Sequence, residues 1–309
     1  MTVNQWQVKR PLKEAGMHDD ATTGEPRSVK SAERVFDVLE QVMQARGGES
    51  FMQIGKALSI PKSSLFALLG VMERRQYLEL DPVARTYRLG PRTLELGQAY
   101  LHGQDLIETA RQAMAALVAE VNETAQLARL AGADNVYLAR VDSSHALRLQ
   151  SEPGSRLPAQ ATGIGKALLS LMGEAEIEAL FGTGALPAYS PTSLASVAAL
   201  KDELELTRRR GFALDNEEYT PGVFCLAVPV YDAPGRAQCA VSVSIPITRV
   251  GEGTLPRILS RLAECSLAIS RRRGAGAADP VLARLADPGE AARRLAELRA
   301  SPRYRFSFD

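Results

Sequence analysis

Apolar residues recur at helical spacing in two short neighbouring segments between residues 51 and 76. Ile54, Ala57 and Leu58 form the apolar stripe of the first segment. Pro61 can begin a second helix, because the first turn of a helix leaves its N–H groups unpaired anyway. The second stripe consists of Leu65, Leu68, Leu69 and Met72. The pattern predicts two short helices joined by a tight connection.

Strand-like alternation follows the second predicted helix. Residues 77–80 lead into Asp81-Pro82, which is a turn signal, and residues 86–89 return as a second strand. The order of helix, connection, helix and hairpin is that of a winged helix-turn-helix, a fold that reads DNA through its second helix. An ordinary helical pair with a solvated polar face fits the same segment, because helix-turn-helix patterns are weak on their own.

Polar and basic residues around the second predicted helix are candidates for contact with DNA. Small polar side chains and a cation at the front of an exposed helix suit the major groove. The groove candidates are Lys62, Ser63, Ser64 and Phe66, and the phosphate candidates are Arg74, Arg75 and, on the wing, Arg85. Residues 28–90 carry nine basic and seven acidic residues. This small excess predicts weak binding by one copy and stronger binding by a dimer or tetramer.

The chain divides into five parts by composition and periodicity. The predicted parts are a mobile N-terminal arm (1–27), the winged helix-turn-helix domain (28–90), a linker helix (91–104), a second domain (105–273) and a flexible basic tail (274–309). The tail is predicted from a Gly- and Ala-rich linker and an Ala-, Leu- and Arg-rich segment that has few large apolar residues.

The second domain begins with a helical pattern and continues with three strand patterns, the last of them over residues 146–150. Further helical patterns follow, one of them with Ser193 as its candidate cap and ending at Arg210. A hairpin is predicted over the turn at residues 233–235, before a last helix that ends near Arg271. These elements predict an α+β fold with an antiparallel sheet.

Composition narrows the class of protein. The chain has 309 residues, of which 45% are hydrophobic and 24% charged, so it can form two folded domains. Three cysteines without a CxxC motif and three scattered histidines predict reduced thiols in a cytoplasmic protein, with no metal site and no cofactor. The sequence has no run of eighteen apolar residues and no signal-like N-terminus, so we expect no membrane segment.

Four further segments carry a resemblance to a known family. After the predicted wing ends in YRLG at Gly90, the chain reads GSRLPAQATGIGKALLS from Gly154, RRRGFALDNEE from Arg208, GVFCLAVPVYD from Gly222 and AVSVSIPITRV from Ala240. Over residues 28–271 it closely resembles the IclR family of bacterial transcriptional regulators. The resemblance implies a winged helix-turn-helix domain, a linker helix and a GAF-like effector-binding domain. It also implies homodimers, or tetramers, that bind a double-stranded DNA operator of a catabolic operon and respond to a small metabolite.

The GIGK segment suits a small anionic ligand. A helix start offers backbone N–H groups and a positive dipole end, and Gly163 and Gly165 leave that backbone accessible. Ser242 and Ser244 are two positions apart on a predicted strand, so their hydroxyls face one side and can bind one carboxylate. The resemblance implies that the effector, which we expect to be a small organic acid, contacts Ala161, Gly163, Ile164, Asp215, Cys225, Ser242 and Ser244.

Other interpretations of these residues remain. Paired serines on a strand are usually solvated, and Cys225 in an apolar strand is most often an inert core thiol. Asp215 would repel a carboxylate, so we expect it to meet a hydroxyl, a hydrated carbonyl or a protonated group. The GIGK segment is not a P-loop, because Gln160 and Ala167 stand where that motif needs Gly and Ser or Thr.

An enzymatic function is disfavoured. The S-x-x-K match that ends at Lys62 has no S-D-N or K-T-G partner, and the sequence shows no nucleophile elbow. We therefore predict a DNA-binding transcriptional regulator controlled by a small organic acid. The alternatives left open are a structural DNA-associated protein that responds to no ligand and an enzyme acting on a small molecule in the C-terminal domain.

Overall fold

In the computed structural model the chain divides into two compact units between Gly97 and Gln98. The structure describes residues 29–45, 47–102, 105–145, 151–234, 236–251, 253–275, 279–301, 304 and 306. The predicted N-terminal arm and the strand predicted over residues 146–150 lie outside these residues.

The first unit is a winged helix-turn-helix, as the sequence predicted. β3 pairs antiparallel with β1 on one side and with β2 on the other, so the hairpin predicted over Asp81-Pro82 is extended by one short strand. The elements are α1 (Lys30–Gln44), β1 (Glu49–Ser50), α2 (Phe51–Ala57), α3 (Lys62–Arg74), β2 (Leu78–Asp81) and β3 (Thr86–Leu89).

Apolar stripes and a capping box explain the helical pair. Ser50 and Gln53 form the box at the start of α2, because each side chain bonds the backbone N–H of the other. Ile54 and the α3 residues Leu65 and Leu69 are buried in one core with Val38 of α1. Since one face of α3 is used in this core, its opposite face is turned toward solvent.

The second unit has a six-stranded antiparallel sheet in the order β6-β5-β4-β9-β8-β7. This confirms the α+β fold with an antiparallel sheet. Helix α4 (Pro91–His102) contains the boundary between the two units. The next elements are α5 (Asp105–Val121), β4 (Thr124–Ala131), β5 (Asp134–Val141), β6 (Arg156–Pro158), α6 (Gly163–Leu169), α7 (Glu174–Phe181), α8 (Val197–Arg210), β7 (Ala213–Asn216), β8 (Val223–Ala233), β9 (Arg236–Pro246) and α9 (Thr254–Arg272).

The two faces of the sheet differ in the size of their side chains. Large apolar residues such as Leu127 and Val243 point to one face, where α5 and α9 cover them. Small residues such as Ala128, Ala227 and Ala240 point to the other face, where α6 lies. The period-two alternation of strands separates the two sets. Because the small side chains let α6 approach closely, the start of this helix lies directly over the sheet.

The cap of α8 differs from the sequence prediction. Ser193 does not begin the helix. Its Oγ accepts hydrogen bonds from the backbone N–H groups of Tyr189 and Ser190 and donates one to the carbonyl of Glu218. Ser196 caps α8 instead, with its Oγ accepting from Ala199 N at 3.2 Å. Both serines precede the same apolar pattern. Ser196 is the cap because the hydroxyl of Ser193 is used by its contacts within the loop.

The C-terminal residues differ most from the sequence prediction. Two helices, α10 (Pro280–Leu285) and α11 (Pro288–Arg299), follow α9 and pack against it. The predicted flexible tail is therefore wrong for residues 280–299. On each helix two leucines three positions apart are buried on one face, Leu282 and Leu285 on α10 and Leu295 and Leu298 on α11. Gly211 permits this packing, because a Cβ there would lie 2.4 Å from Val281 Cγ1.

Among the described residues, no single helix is long and apolar enough to cross a membrane. Helices α2 and α3 meet that measure only when taken together, and the chain bends by 117° between them.

Candidate functional site

Helix α3 presents a polar outer face to solvent. Lys62, Ser63 and Ser64 are exposed in its first turn, and Phe66 is 74% exposed. Ser63 lies opposite the buried stripe that contains Leu65, Ser64 and Phe66 lie on either side of that stripe, and Lys62 is exposed one turn before Leu65. All four groove candidates are thus accessible near the start of α3.

The three arginine candidates lie on the same unit. Arg74 ends α3, Arg75 follows it, and both are exposed. Arg85 lies in the β2–β3 turn with a φ of 52°, and Asp81 Oδ1 fixes that turn by accepting hydrogen bonds from the N–H groups of Val83 and Ala84. None of the three arginines forms an ion pair with another described residue. Their charges are therefore not neutralised within the described part of the unit.

The start of α6 forms one side of a buried polar cluster. Thr162 caps the helix by accepting a hydrogen bond from Gly165 N at 3.3 Å, and it also accepts one from Asn135 Nδ2 at 2.6 Å. Gly165 has no room for a side chain, and Gly163 has little. A Cβ on Gly165 would lie 2.1 Å from the Ala159 carbonyl oxygen, and one on Gly163 would lie 3.3 Å from Ala227 Cβ. Ala161 and Ile164 are buried beside them.

The sheet forms the other side of the cluster. Asp215 of β7 pairs with Cys225 of β8, which in turn pairs with Ser244 of β9. Cys225 Sγ lies 3.1 Å from Ser244 Oγ. Ser242 shares their face, since it is two positions from Ser244 on the same strand. The structure thus brings the four polar candidates together on the sheet face that α6 covers.

Gln126 belongs to the same cluster but was not among the sequence candidates. The two serine hydroxyls donate hydrogen bonds to its Oε1, at 3.3 Å from Ser242 and 3.0 Å from Ser244. Its Nε2 donates to Ser151 Oγ. Alternation along β4 gives the only sequence signal, because Gln126 interrupts an otherwise largely apolar strand at a position that shares a face with Ala128.

Two buried carboxyl groups lie near one buried ammonium. Lys166 is 0% exposed and its Nζ pairs with Glu218 Oε1. Asp215 Oδ1 accepts a hydrogen bond of 2.7 Å from Glu218 N. Burial, with the charge of Glu218 next, raises the pKa of Asp215 to about 8, although Lys166 acts in the opposite direction. Burial raises the pKa of Glu218 as well, so the protonated form of this carboxyl pair is favoured. A protonated Asp215 can donate a hydrogen bond to a ligand rather than repel an anion.

The thiol of Cys225 is also neutral. Burial, followed by the nearby charge of Asp215, raises its pKa above the ordinary value. A neutral thiol is a weak hydrogen-bond donor and a poor nucleophile. Within the described residues no group of three His, Cys, Asp or Glu side chains has the arrangement of a metal site. The cluster is thus equipped to hydrogen-bond a polar molecule.

Comparison with known families covers both units. Residues 31–82 match the IclR helix-turn-helix domain. Residues 98–271 match the family described as bacterial transcriptional regulator IclR, C-terminal. The second match contains α6 and all the residues of the buried cluster named above, whereas α10 and α11 lie beyond it.

Individual relatives agree with the family matches. The chain is 33% identical over 246 residues to the HTH-type transcriptional regulator XynR of Escherichia coli (strain K12), covering 80% of this chain and 98% of XynR. It is 30% identical over 226 residues to the HTH-type transcriptional repressor AllR of the same strain, covering 73% and 83%. A crystal structure of an IclR homolog complexed with 4-hydroxybenzoate, from Microbacterium hydrocarbonoxydans, is 25% identical with a TM-score of 0.67, covering 78% of this chain and 98% of that one.

Proposed function

Because the chain belongs to the IclR family of bacterial transcriptional regulators, we propose that its first unit reads an operator and that a small organic acid bound to its second unit controls this reading. The family consists of DNA-binding regulators rather than enzymes. The buried polar cluster under α6 is the observation that supports an effector site most directly. We also propose that the regulated genes form a catabolic operon and that the protein acts in the bacterial cytoplasm, where its operator is.

In the proposed complex with DNA, α3 enters the major groove. Lys62, Ser63 and Ser64 then face base edges from the first turn of the helix, with Phe66 beside them. Arg74, Arg75 and the wing residue Arg85 contact phosphates on either side. Their exposure and their lack of ion pairs with other described residues support this role, because no described acidic side chain has to be displaced.

We propose that two copies associate through apolar residues that this chain leaves exposed. Phe36 and Met43 of α1 are 63% and 61% exposed and lie seven residues apart, hence on one face of the helix. Leu94, Leu96 and Tyr100 are exposed along α4. Exposed apolar stripes on two helices suit a symmetric interface between copies. A dimer also doubles the number of phosphate contacts. This increase matters because a unit with a net charge of +2 binds DNA weakly on its own.

For the effector, we propose a carboxylate held between the start of α6 and the β7–β8–β9 face. The helix start offers backbone N–H groups, with Ala161, Gly163 and Ile164 near this end of the ligand. A protonated Asp215 and the Cys225 thiol offer donors from the sheet, and Ser242 and Ser244 offer hydroxyls. Several donors are necessary, because a buried carboxylate that is not hydrogen-bonded is very costly.

Genomic fragments selected for affinity to the full chain provide the test. The selected fragment is titrated by fluorescence anisotropy with and without 4-hydroxybenzoate and a panel of other small organic acids. We expect nanomolar binding that at least one acid shifts, together with a rise in the melting temperature of the protein. An acid present at a hundred times its Kd should add about 2.7 kcal/mol to stability. Operator binding unaffected by every acid that binds the protein would contradict the proposed control.

A further inference from the structure

Gln126 connects three polar side chains at the proposed effector site. It lies on β4 directly opposite Ser242 and is 3% exposed. Its Oε1 accepts the hydroxyl hydrogens of Ser242 and Ser244, while its Nε2 donates to Ser151, which precedes β6. One buried carboxamide therefore fixes the hydrogen-bond geometry of both serine hydroxyls.

The direction of these hydrogen bonds decides what the serines offer to a ligand. Each hydroxyl has one hydrogen and two lone pairs. With both hydrogens turned to Gln126 Oε1, Ser242 and Ser244 present only lone pairs to a third group. A carboxylate only accepts hydrogen bonds, so it gains nothing from the serines in this arrangement. A ligand amide or hydroxyl, in contrast, can donate to them.

A half-turn of the carboxamide reverses this polarity. The group is nearly symmetric in shape, so the turn exchanges Oε1 and Nε2 without displacing any neighbour. Nε2 then donates to both serine oxygens, and the Ser151 hydroxyl donates to Oε1. The number of hydrogen bonds stays at three, and both serine hydrogens become available to a ligand carboxylate. The two arrangements are thus equally well bonded but recognise different chemical groups.

We propose that Gln126 is a specificity-determining residue of the effector site. It sets whether Ser242 and Ser244 donate to an acid or accept from a neutral amide. This assignment rests on the proposed function of the site. It adds that an acidic effector is bound with the Gln126 carboxamide turned so that Nε2 faces the serines.

Two variants of the full chain separate this role from simple packing. Gln126→Glu has two acceptor oxygens, so it holds both serine hydrogens and adds a negative charge. Gln126→Met keeps the length of the side chain and removes its hydrogen bonds. Gln112→Glu is the matched control, because Gln112 is exposed on α5. The probes are acid and amide pairs: 4-hydroxybenzoate with 4-hydroxybenzamide, benzoate with benzamide, and lactate with lactamide.

Isothermal titration of each pair gives the ratio of acid affinity to amide affinity. For an acid that binds the parent, we expect Gln126→Glu to weaken it about 100-fold and to change the matching amide by less than about 5-fold, since removing charge-assisted bonds costs more than removing neutral ones. Gln126→Met should weaken both members of a pair by similar factors, and Gln112→Glu should change neither. An unchanged ratio in Gln126→Glu would overturn the assignment.

A second measurement needs no ligand. Gln126→Met, the double variant Ser242→Ala with Ser244→Ala, and all three changes together form a double-mutant cycle in the melting temperature. If Gln126 holds the serines, the combined variant should melt close to the less stable of the other two. Fully additive decreases in the melting temperature would overturn the assignment. If no acid binds the parent, the organic-acid function fails separately, and the cycle still decides the role of Gln126.

Discussion

Tyr304 Oη donates a hydrogen bond of 2.6 Å to Glu203 Oε2 and so joins the C-terminal residues to α8. Arg210 completes the triad, since it donates to Glu203 Oε1 at 2.6 Å and to Tyr304 Oη at 2.7 Å. Burial by itself would raise the pKa of Glu203, but the charges of Lys166 and Arg210 and the hydrogen bonds keep it below its ordinary value. The C-terminal residues, which lie beyond the family match, are thus linked to the charges around the proposed effector site.

Removing the Tyr304 hydroxyl should destabilise the second unit. Tyr304→Phe keeps the ring, which stacks on Phe306, but removes one hydrogen-bond donor to the buried Glu203 carboxylate. We expect the free energy of unfolding in urea to fall by about 1–3 kcal/mol, as for other hydrogen bonds to charged groups. Thr183→Val is the control, because it removes an exposed hydroxyl from the same unit. Equal stability of Tyr304→Phe and the parent would show that the triad contributes nothing.

The pH dependence of stability should report the proton on Asp215. Its pKa is raised to about 8 in the folded chain, whereas an unfolded aspartate titrates near the ordinary value of 3.8. Between about pH 4 and pH 8 the folded state therefore binds more protons, so stability falls as the pH rises through this window. Asp215→Asn cannot titrate, and we expect its melting temperature to fall less between pH 5 and pH 8 than that of the parent. Parallel curves for the two proteins would argue that Asp215 is already ionised.

Apolar periodicity predicted the helices and strands correctly where each apolar stripe packs against a neighbouring element of the same unit. The winged helix-turn-helix followed from Ile54, Leu65 and Leu69, because short amphipathic helices have few other ways to bury such a stripe. The C-terminal helices were nevertheless missed. The leucines of this segment, such as Leu282 and Leu295, are few and widely spaced. They belong to a core because they pack against the apolar surface of α9. Composition alone cannot show that a neighbouring helix provides a surface for them to cover.

The candidate site was only partly predictable for a similar reason. Alternation on one strand placed Ser242 and Ser244 on the same side, since that relation is local. Their hydrogen bonds to Gln126 depend on the register between β4 and β9, which joins residues more than a hundred positions apart. The raised pKa of Asp215 likewise depends on its burial, which its sequence neighbours do not show, although Glu218 stands only three positions along the chain.

Salt dependence should reveal how the first unit binds phosphates. We expect Lys62→Ala with Arg85→Ala to weaken binding to a selected genomic fragment, because both cations lie exposed on the proposed DNA surface. The slope of log affinity against log salt should fall by about 0.9 for each phosphate that the variant no longer neutralises. Lys201→Ala is the control, since Lys201 lies on α8 and pairs with Glu178. Fluorescence anisotropy at several salt concentrations measures the slope, and an unchanged slope would exclude this docking.

Association of two copies should depend on the apolar face of α1. Phe36→Glu places a charge at the centre of the exposed stripe shared with Met43, and burying that charge in an interface would be very costly. We expect light scattering at micromolar concentration to give a mass near 33.4 kDa for this variant and at least twice that mass for the parent. Gln112→Glu is the control, because it adds the same charge at an exposed position of the second unit. If Phe36→Glu is a single copy in solution, its affinity for the operator should also be lower than that of the parent, since one copy makes only half the phosphate contacts. A Phe36→Glu protein that keeps the parental mass would move the interface away from α1.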